Sequence, residues 1–183
     1  ADRARALLLS ETGRPKEAVA VLASYRESDE PETLNALGIA LTDAGRPAEA
    51  LPVFARVLEL DPSNADAYQN TGISLLKLDR VDEARQNLEQ ALRLGKRHVR
   101  AWNALGVAWV RLGDPKKAID AWEHCLEINP EQYDALYNIG RVAGQIHDWP
   151  KARAALERFV ASAPSKQYGK DLAEVRAVLA ELK

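Results

Sequence analysis

Four glycines, Gly38, Gly72, Gly106 and Gly140, stand 34 residues apart along this 183-residue chain. Four alanines, Ala50, Ala84, Ala118 and Ala152, keep the same period. So do Pro62, Pro130 and Pro164, with Lys96 in the vacant slot. Three rows in one register describe a small supersecondary unit that cannot bury its apolar face alone and must stack on its neighbours. The units run 31–64, 65–98, 99–132 and 133–166. A degenerate or truncated first unit occupies 1–30, where Gly13 and Ala18 repeat the spacing of Gly45 and Ala50 two residues out of register.

Each unit divides into two helices. Around the glycine, Leu34, Leu37, Gly38 and Leu41 follow the i, i+3, i+4, i+7 rule of one helical face. The later counterparts are Tyr68, Thr71, Gly72, Leu75, then Trp102, Leu105, Gly106, Trp109, then Leu136, Ile139, Gly140, Ala143. A mid-helix glycine costs about 1 kcal/mol relative to alanine, so its recurrence predicts a helix packed too close for a β-carbon. The second helices carry Ala50, Phe54, Val57 and Leu58 and their counterparts through Ala152, Leu156, Phe159 and Val160. Gly45-Arg46-Pro47 and Gly113-Asp114-Pro115 stop one helix and start the next. The spacing predicts helices near 2–12, 15–27, 32–44, 47–60, 65–78, 81–94, 99–112, 115–128, 133–146, 149–162 and 167–181. In the tail, Leu172, Val175, Val178, Leu179 and Leu182 share a face, and Asp171, Glu174, Arg176, Glu181 and Lys183 point away, as in a helix that solvates the end of a stack. A content of 46% hydrophobic and 28% charged residues excludes disorder.

The period and residues resemble the tetratricopeptide repeat (TPR) family. Trp102-Asn103-Ala104-Leu105-Gly106, with Trp109, Ala118, Trp122 and Pro130, is similar to a near-complete signature; Thr71, Ala143 and Lys96 depart from it. The resemblance covers 31–166 strongly and 1–30 weakly. It implies an all-α, right-handed superhelical solenoid of helix-turn-helix units with a C-terminal capping helix, forming one array over 1–183. The RNA-reading pentatricopeptide relatives run nearer 35 residues and are typically basic, whereas this chain has a net charge of −2. That balance also argues against a nucleic-acid partner.

Catalytic chemistry finds little footing. Cys125 is the single cysteine, which excludes an internal disulfide framework and a multi-cysteine metal site. His124 adjoins it, but consecutive helical residues do not face each other, and Cys125 occupies the core row of Val57, Ala91 and Phe159. His98 and His147 fall in turns. Trp102, Trp109 and Trp122 lie on core rows, and Trp149 is the tryptophan expected at the surface. No enzyme activity, cofactor or metal is expected. No apolar run reaches the ~20 residues of a membrane span. A soluble chain is expected, with the cytoplasm slightly favoured; the chain begins at Ala1 and lacks methionine, as a piece of a longer protein would.

If first helices line the inside of the superhelix, as the resemblance implies, their remaining faces form a groove. One asparagine falls there in each full unit: Asn35, Asn70, Asn103 and Asn138. An amide both donates and accepts, which suits a peptide backbone; the equal alternative is that asparagine is simply common there in the family. Ile39, Ile73, Val107 and Val110 add an apolar floor, and Lys77, Arg100, Arg111 and Arg141 add positive charge. The Lys/Asn pair with which some family members clamp acidic chaperone tails is absent. The expected function is a non-enzymatic protein–protein interaction module binding a peptide or partner segment in this groove. Two alternatives stand beside it. One is the C-terminal arm of a larger bacterial enzyme, since Tyr168 to Arg176 resembles arrays fused to hydrolases such as sulfatases. The other is self-association, through the groove or the N-terminal face.

Overall fold

The computed structural model describes residues 1–95 and 97–181; Lys96 in the proline slot, and Leu182 and Lys183 in the tail, lie outside them. Among the described residues there are eleven α-helices and no strand. They are α1 (Asp2–Glu11), α2 (Pro15–Leu22), α3 (Pro31–Asp43), α4 (Pro47–Leu60), α5 (Ala65–Lys77), α6 (Val81–Leu94), α7 (Val99–Arg111), α8 (Pro115–Ile128), α9 (Tyr133–Gln145), α10 (Trp149–Ser162) and α11 (Ser165–Glu181). Two expected spans differ. The helix expected over 15–27 ends at Leu22 and tightens into a 3-10 turn, Ala23–Tyr25. The tail helix starts two residues early, at Ser165, and kinks at Tyr168, whose φ of −113° and ψ of 19° are not helical.

Proline opens α2, α3, α4 and α8, where a missing N–H is harmless and φ is already helical. The residue that closes the first helix of each pair turns left-handed. Gly13, Gly45 and Gly113 do so with φ of 76°, 77° and 80°, and Asp79 and His147 hold the same slot at 58° and 62°.

The glycine row sits where the period predicts. A β-carbon on Gly38 would lie 2.6 Å from Phe54 Cζ, on Gly72 2.6 Å from Leu88 Cγ, on Gly106 2.5 Å from Trp122 Cε2, and on Gly140 2.5 Å from Leu156 Cγ. These four large residues are themselves 34 apart and at most 5% exposed. Each unit thus closes by one contact, a bulky second-helix side chain pressed on bare first-helix backbone.

The chain parts into two compact units, Ala1–Ala104 and Leu105–Lys183. In the first, Leu34, Leu37, Leu41, Phe54 and Val57 form a core together with Ala6, Leu9 and Leu22. A polar seam joins α3 to α5: Thr42 Oγ1 and Ser74 Oγ stand 2.8 Å apart inside the protein, and each is also within bonding distance of the carbonyl four residues back, on Gly38 or Asn70, so that two hydroxyl protons serve three contacts. In the second unit, Leu172 and Val175 of α11 pack on Leu136, Leu156 and Phe159. Tyr168 stands edge-on to Phe159 at 5.5 Å and donates to Asp134 at 2.9 Å. Burial, then that carboxylate, push the Tyr168 phenol up to about 12. On α11 the signature positions hold Lys170, Ala173, Glu174 and Ala177, all exposed, so its apolar side faces only the preceding repeat.

Candidate partner-binding faces

In the first unit, α3, α5 and the start of α7 bring several of the expected residues together. Ile39, Asn70, Ile73 and Arg100 line one cleft, and Asp43 joins them. Ile39 and Ile73 are half-buried and Arg100 is exposed. The asparagines are not equivalent. Asn70 is only 5% exposed, and its Nδ2 donates to Asn35 Oδ1 at 3.1 Å. That bond engages the Asn35 carbonyl and leaves its half-buried NH2 as the group offered to a ligand. Asn103 is half-buried too. Lys77 donates its ammonium to the Thr42 carbonyl at 3.1 Å, which anchors the charge over the seam without neutralising it.

Several other arginines meet carboxylates: Arg46 pairs with Glu49 at 2.7 Å, Arg56 with Asp29 at 2.7 Å and Glu59 at 3.0 Å, and Arg80 with Glu83 at 2.6 Å. Among the described residues, Lys77 and Arg100 carry no such pair, and Asp43 shares the cleft with Arg100 without bonding to it.

In the second unit, Val107 and Asn138 are half-buried, Arg111 is exposed, and Val110 is 40% exposed. The Arg141 guanidinium lies 5.6 Å from the centre of the Tyr137 ring, a cation–π geometry that holds the charge outward. Tyr137 in turn touches Phe159, ring to ring at 5.5 Å. Sequence reasoning passed over Tyr137 as a support. It was findable, since Tyr137 is one turn before Arg141 on the same helix.

The residues weighed for catalysis lie apart. Cys125 is fully buried, and desolvation pushes its thiol up to about 11, so little reactive thiolate forms. His124 is exposed and faces Glu127 at 2.9 Å. Trp122 is 2% exposed, whereas Trp102 and Trp109 are half-buried rather than internal; Lys117 lies 4.4 Å over the Trp109 ring. Trp149 is 48% exposed, as expected. Among the described residues no cluster of metal-ligating side chains occurs, and no helix is long and apolar enough to cross a membrane.

The tetratricopeptide repeat profiles match residues 3–68 and 70–124, with further matches at 53–86 and 134–165. The chain belongs to the tetratricopeptide repeat family. Among solved structures, this TPR chain is similar to MamA, with a TM-score of 0.73 at 24% identity over 84% of this chain and 91% of that one. It is also similar to MamA 41-end from Desulfovibrio magneticus RS-1, with a TM-score of 0.73 at 26% identity over 87% and 92%. YrrB, described as a TPR protein with an unusual peptide-binding site, gives a TM-score of 0.65 at 23% identity over 85% and 81%. Curated relatives include anaphase-promoting complex subunit 3 of Schizosaccharomyces pombe, 27% identical over 97 residues, and human protein O-mannosyl-transferase TMTC3, 26% identical over 113. The chain aligns with 15% and 12% of their lengths, from 53% and 60% of its own. A TPR fold of this kind is that of a protein-interaction module.

Proposed function

We propose that this chain is a non-enzymatic binding module whose first-helix faces receive an extended or helical protein segment with apolar side chains beside carboxylates. One observation supports this: in the first unit, half-buried Ile39 and Ile73 share a cleft with Arg100, a cation without a carboxylate partner among the described residues, beside Lys77 and the NH2 of Asn35. Apolar surface supplies affinity, and unpaired cations select acidic neighbours and speed encounter. In the second unit, exposed Val110 lies on the first helix of the repeat before the one that carries Arg141, whose guanidinium stands over the Tyr137 ring. The peptide-binding site named for YrrB lends support by fold alone. The larger protein in which such an array acts, an enzyme or otherwise, is a separate matter, because TPR arrays are carried by chains of many activities.

The test is a peptide-array screen at low and high salt with wild type, Lys77→Glu/Arg100→Glu and Arg111→Glu/Arg141→Glu. Acidic-apolar peptides should bind wild type, weaken as salt rises, and lose at least tenfold in affinity for one of the double variants. Equal binding by all three proteins would remove these faces as the site.

A further inference from the structure

We infer that the turn joining α6 to α7 is a docking surface for a short acidic run in a partner protein, separate from the cleft between α3 and α5. Charge singles it out. Six positions span each joint between repeats, and they hold four carboxylates at 27–32, two at 61–66 and two at 129–134. At 95–100 they hold none; Lys96, Arg97 and Arg100 stand there instead, and Arg93 precedes them on α6. Packing does not ask for these cations, because Arg93, Arg97 and Arg100 are exposed, and Arg100 opposes the dipole of the helix in whose first turn it lies. Nor are the charges neutralised within the chain. Asp66 lies 3.5 Å from His98 Nδ1, Arg93 donates to the neutral Gln90 amide at 2.9 Å, and among the described residues Arg97 and Arg100 are in no ion pair.

The turn also bares an apolar group. Leu94 is 42% exposed, whereas Leu60 and Ile128, its counterparts in the repeat register, are half-buried. It lies between Arg93 and Arg97 in the chain, so one short stretch offers an apolar side chain with a guanidinium on either side. The occupant follows from that combination. Carboxylates meet arginine forks in bidentate pairs, and an apolar side chain among them covers Leu94. A nucleic acid fits less well. It binds by neutralising phosphates along a length of backbone, and the joint at 61–66, which touches this one through Asp66 and His98, carries carboxylates. The same repulsion disfavours an anionic membrane surface. A short acidic run broken by one apolar residue matches the patch.

The probe is a fluorescein-labelled peptide with one leucine between two pairs of glutamates, and fluorescence anisotropy follows its binding. Wild type should bind it, and more weakly as salt rises. Arg93→Glu/Arg97→Glu should weaken binding at least tenfold. Arg3→Glu/Lys16→Glu, which changes the net charge equally at exposed sites elsewhere, should weaken it less than about twofold. Both variants should keep the wild-type far-UV spectrum. Alanine in place of the peptide's leucine should cost about threefold on wild type and nothing on Leu94→Ser. Ile73→Ser, which alters the cleft, should bind as wild type does. No binding by wild type at low salt overturns the inference, as does an equal loss in the two charge-reversed variants. A loss on Ile73→Ser at least as large as on Arg93→Glu/Arg97→Glu places the peptide in the cleft, which upholds the function proposed above and overturns a separate surface. Tighter binding of a labelled single-stranded oligonucleotide than of the peptide overturns it in favour of nucleic acid.

Discussion

Replacing Gly106 with alanine sets two known effects against each other. Alanine in a helix interior is favoured over glycine by about 1 kcal/mol, so at an open site the change stabilises. Here the new β-carbon would stand 2.5 Å from Trp122 Cε2 and 2.9 Å from Cδ1, against the roughly 3.5–4.0 Å at which carbons rest. Trp122 is 2% exposed, and an indole in a close-packed interior cannot retreat by about 1 Å without pushing its neighbours. Overpacking of this kind costs about 3 kcal/mol at the upper end of its usual range, leaving a net loss of about 2 kcal/mol. Urea denaturation followed by far-UV circular dichroism measures it. The decisive comparison is Gly106→Ala in a Trp122→Ala background, where the obstruction is gone and the substitution should stabilise by about 1 kcal/mol. Should Trp122→Ala fail to fold, Gly140→Ala with Leu156→Ala repeats the cycle in the next repeat. A stabilised Gly106→Ala, or an equal cost in both backgrounds, would refute the claim that the glycine row exists to admit the bulky residue.

His147→Gly should stabilise by about 0.5 kcal/mol, since relief of a left-handed residue (about 1–2 kcal/mol) exceeds glycine's extra unfolded-state entropy and the lost ring contact with Trp149. Gly113→Ala should lose about 1 kcal/mol by the same logic, and thermal melts of the two variants must move in opposite directions. For Cys125 the thiol is favoured in the folded state, so its contribution is intact below the unfolded pKa and is lost as pH rises through about 11. Between pH 9 and 11 wild type should therefore lose about 2 kcal/mol more than Cys125→Ala, and parallel curves for the two would contradict the assigned burial.

What was legible in the sequence was what the period repeats. The pairing of Gly38, Gly72, Gly106 and Gly140 with Phe54, Leu88, Trp122 and Leu156 is encoded by residues that differ grossly in size from the alternatives, so one sequence suffices to see it. The left-handed slot was legible at Gly45 and Gly113 but hidden at Asp79 and His147, because those residues do not advertise positive φ. The asparagine row is uneven in burial, and Asn70 differs from Asn35 for a geometric reason. Asn35 lies three residues before its glycine and Asn70 two, and one step along a helix is a turn of about 100°. That step carries Asn70 off the open face and into the seam, where it bonds Asn35. The kink at Tyr168 was also invisible, as it answers to Asp134 a full repeat away.

The turns between paired helices separate what the fold requires from what it leaves open. At the start of α4 and α6, Arg46 and Arg80 hold the cap position, and each pairs with a glutamate three residues on, Glu49 at 2.7 Å and Glu83 at 2.6 Å. At the start of α8 and α10 the signs are exchanged. Asp114 caps by accepting from the Lys117 N–H at 3.1 Å and also pairs with its ammonium at 2.9 Å. Asp148 accepts from the Lys151 N–H at 3.3 Å, while that ammonium reaches Glu123. Either arrangement puts carboxylate oxygens at the positive end of a helix, and the partner holds Glu49, Glu83 and Asp114 below the usual carboxylate range. Geometry needs the negative group near the first turn but is indifferent to which residue supplies it. On the first helices, Glu32 and Asp66 stand in the first turns of α3 and α5, and Lys77 and Arg111 in the last turns of α5 and α7, where the dipole favours their signs; Arg100, in the first turn of α7, opposes it. Helix stability therefore does not account for the charge of Arg100, which makes it the position among these left free to answer to a partner.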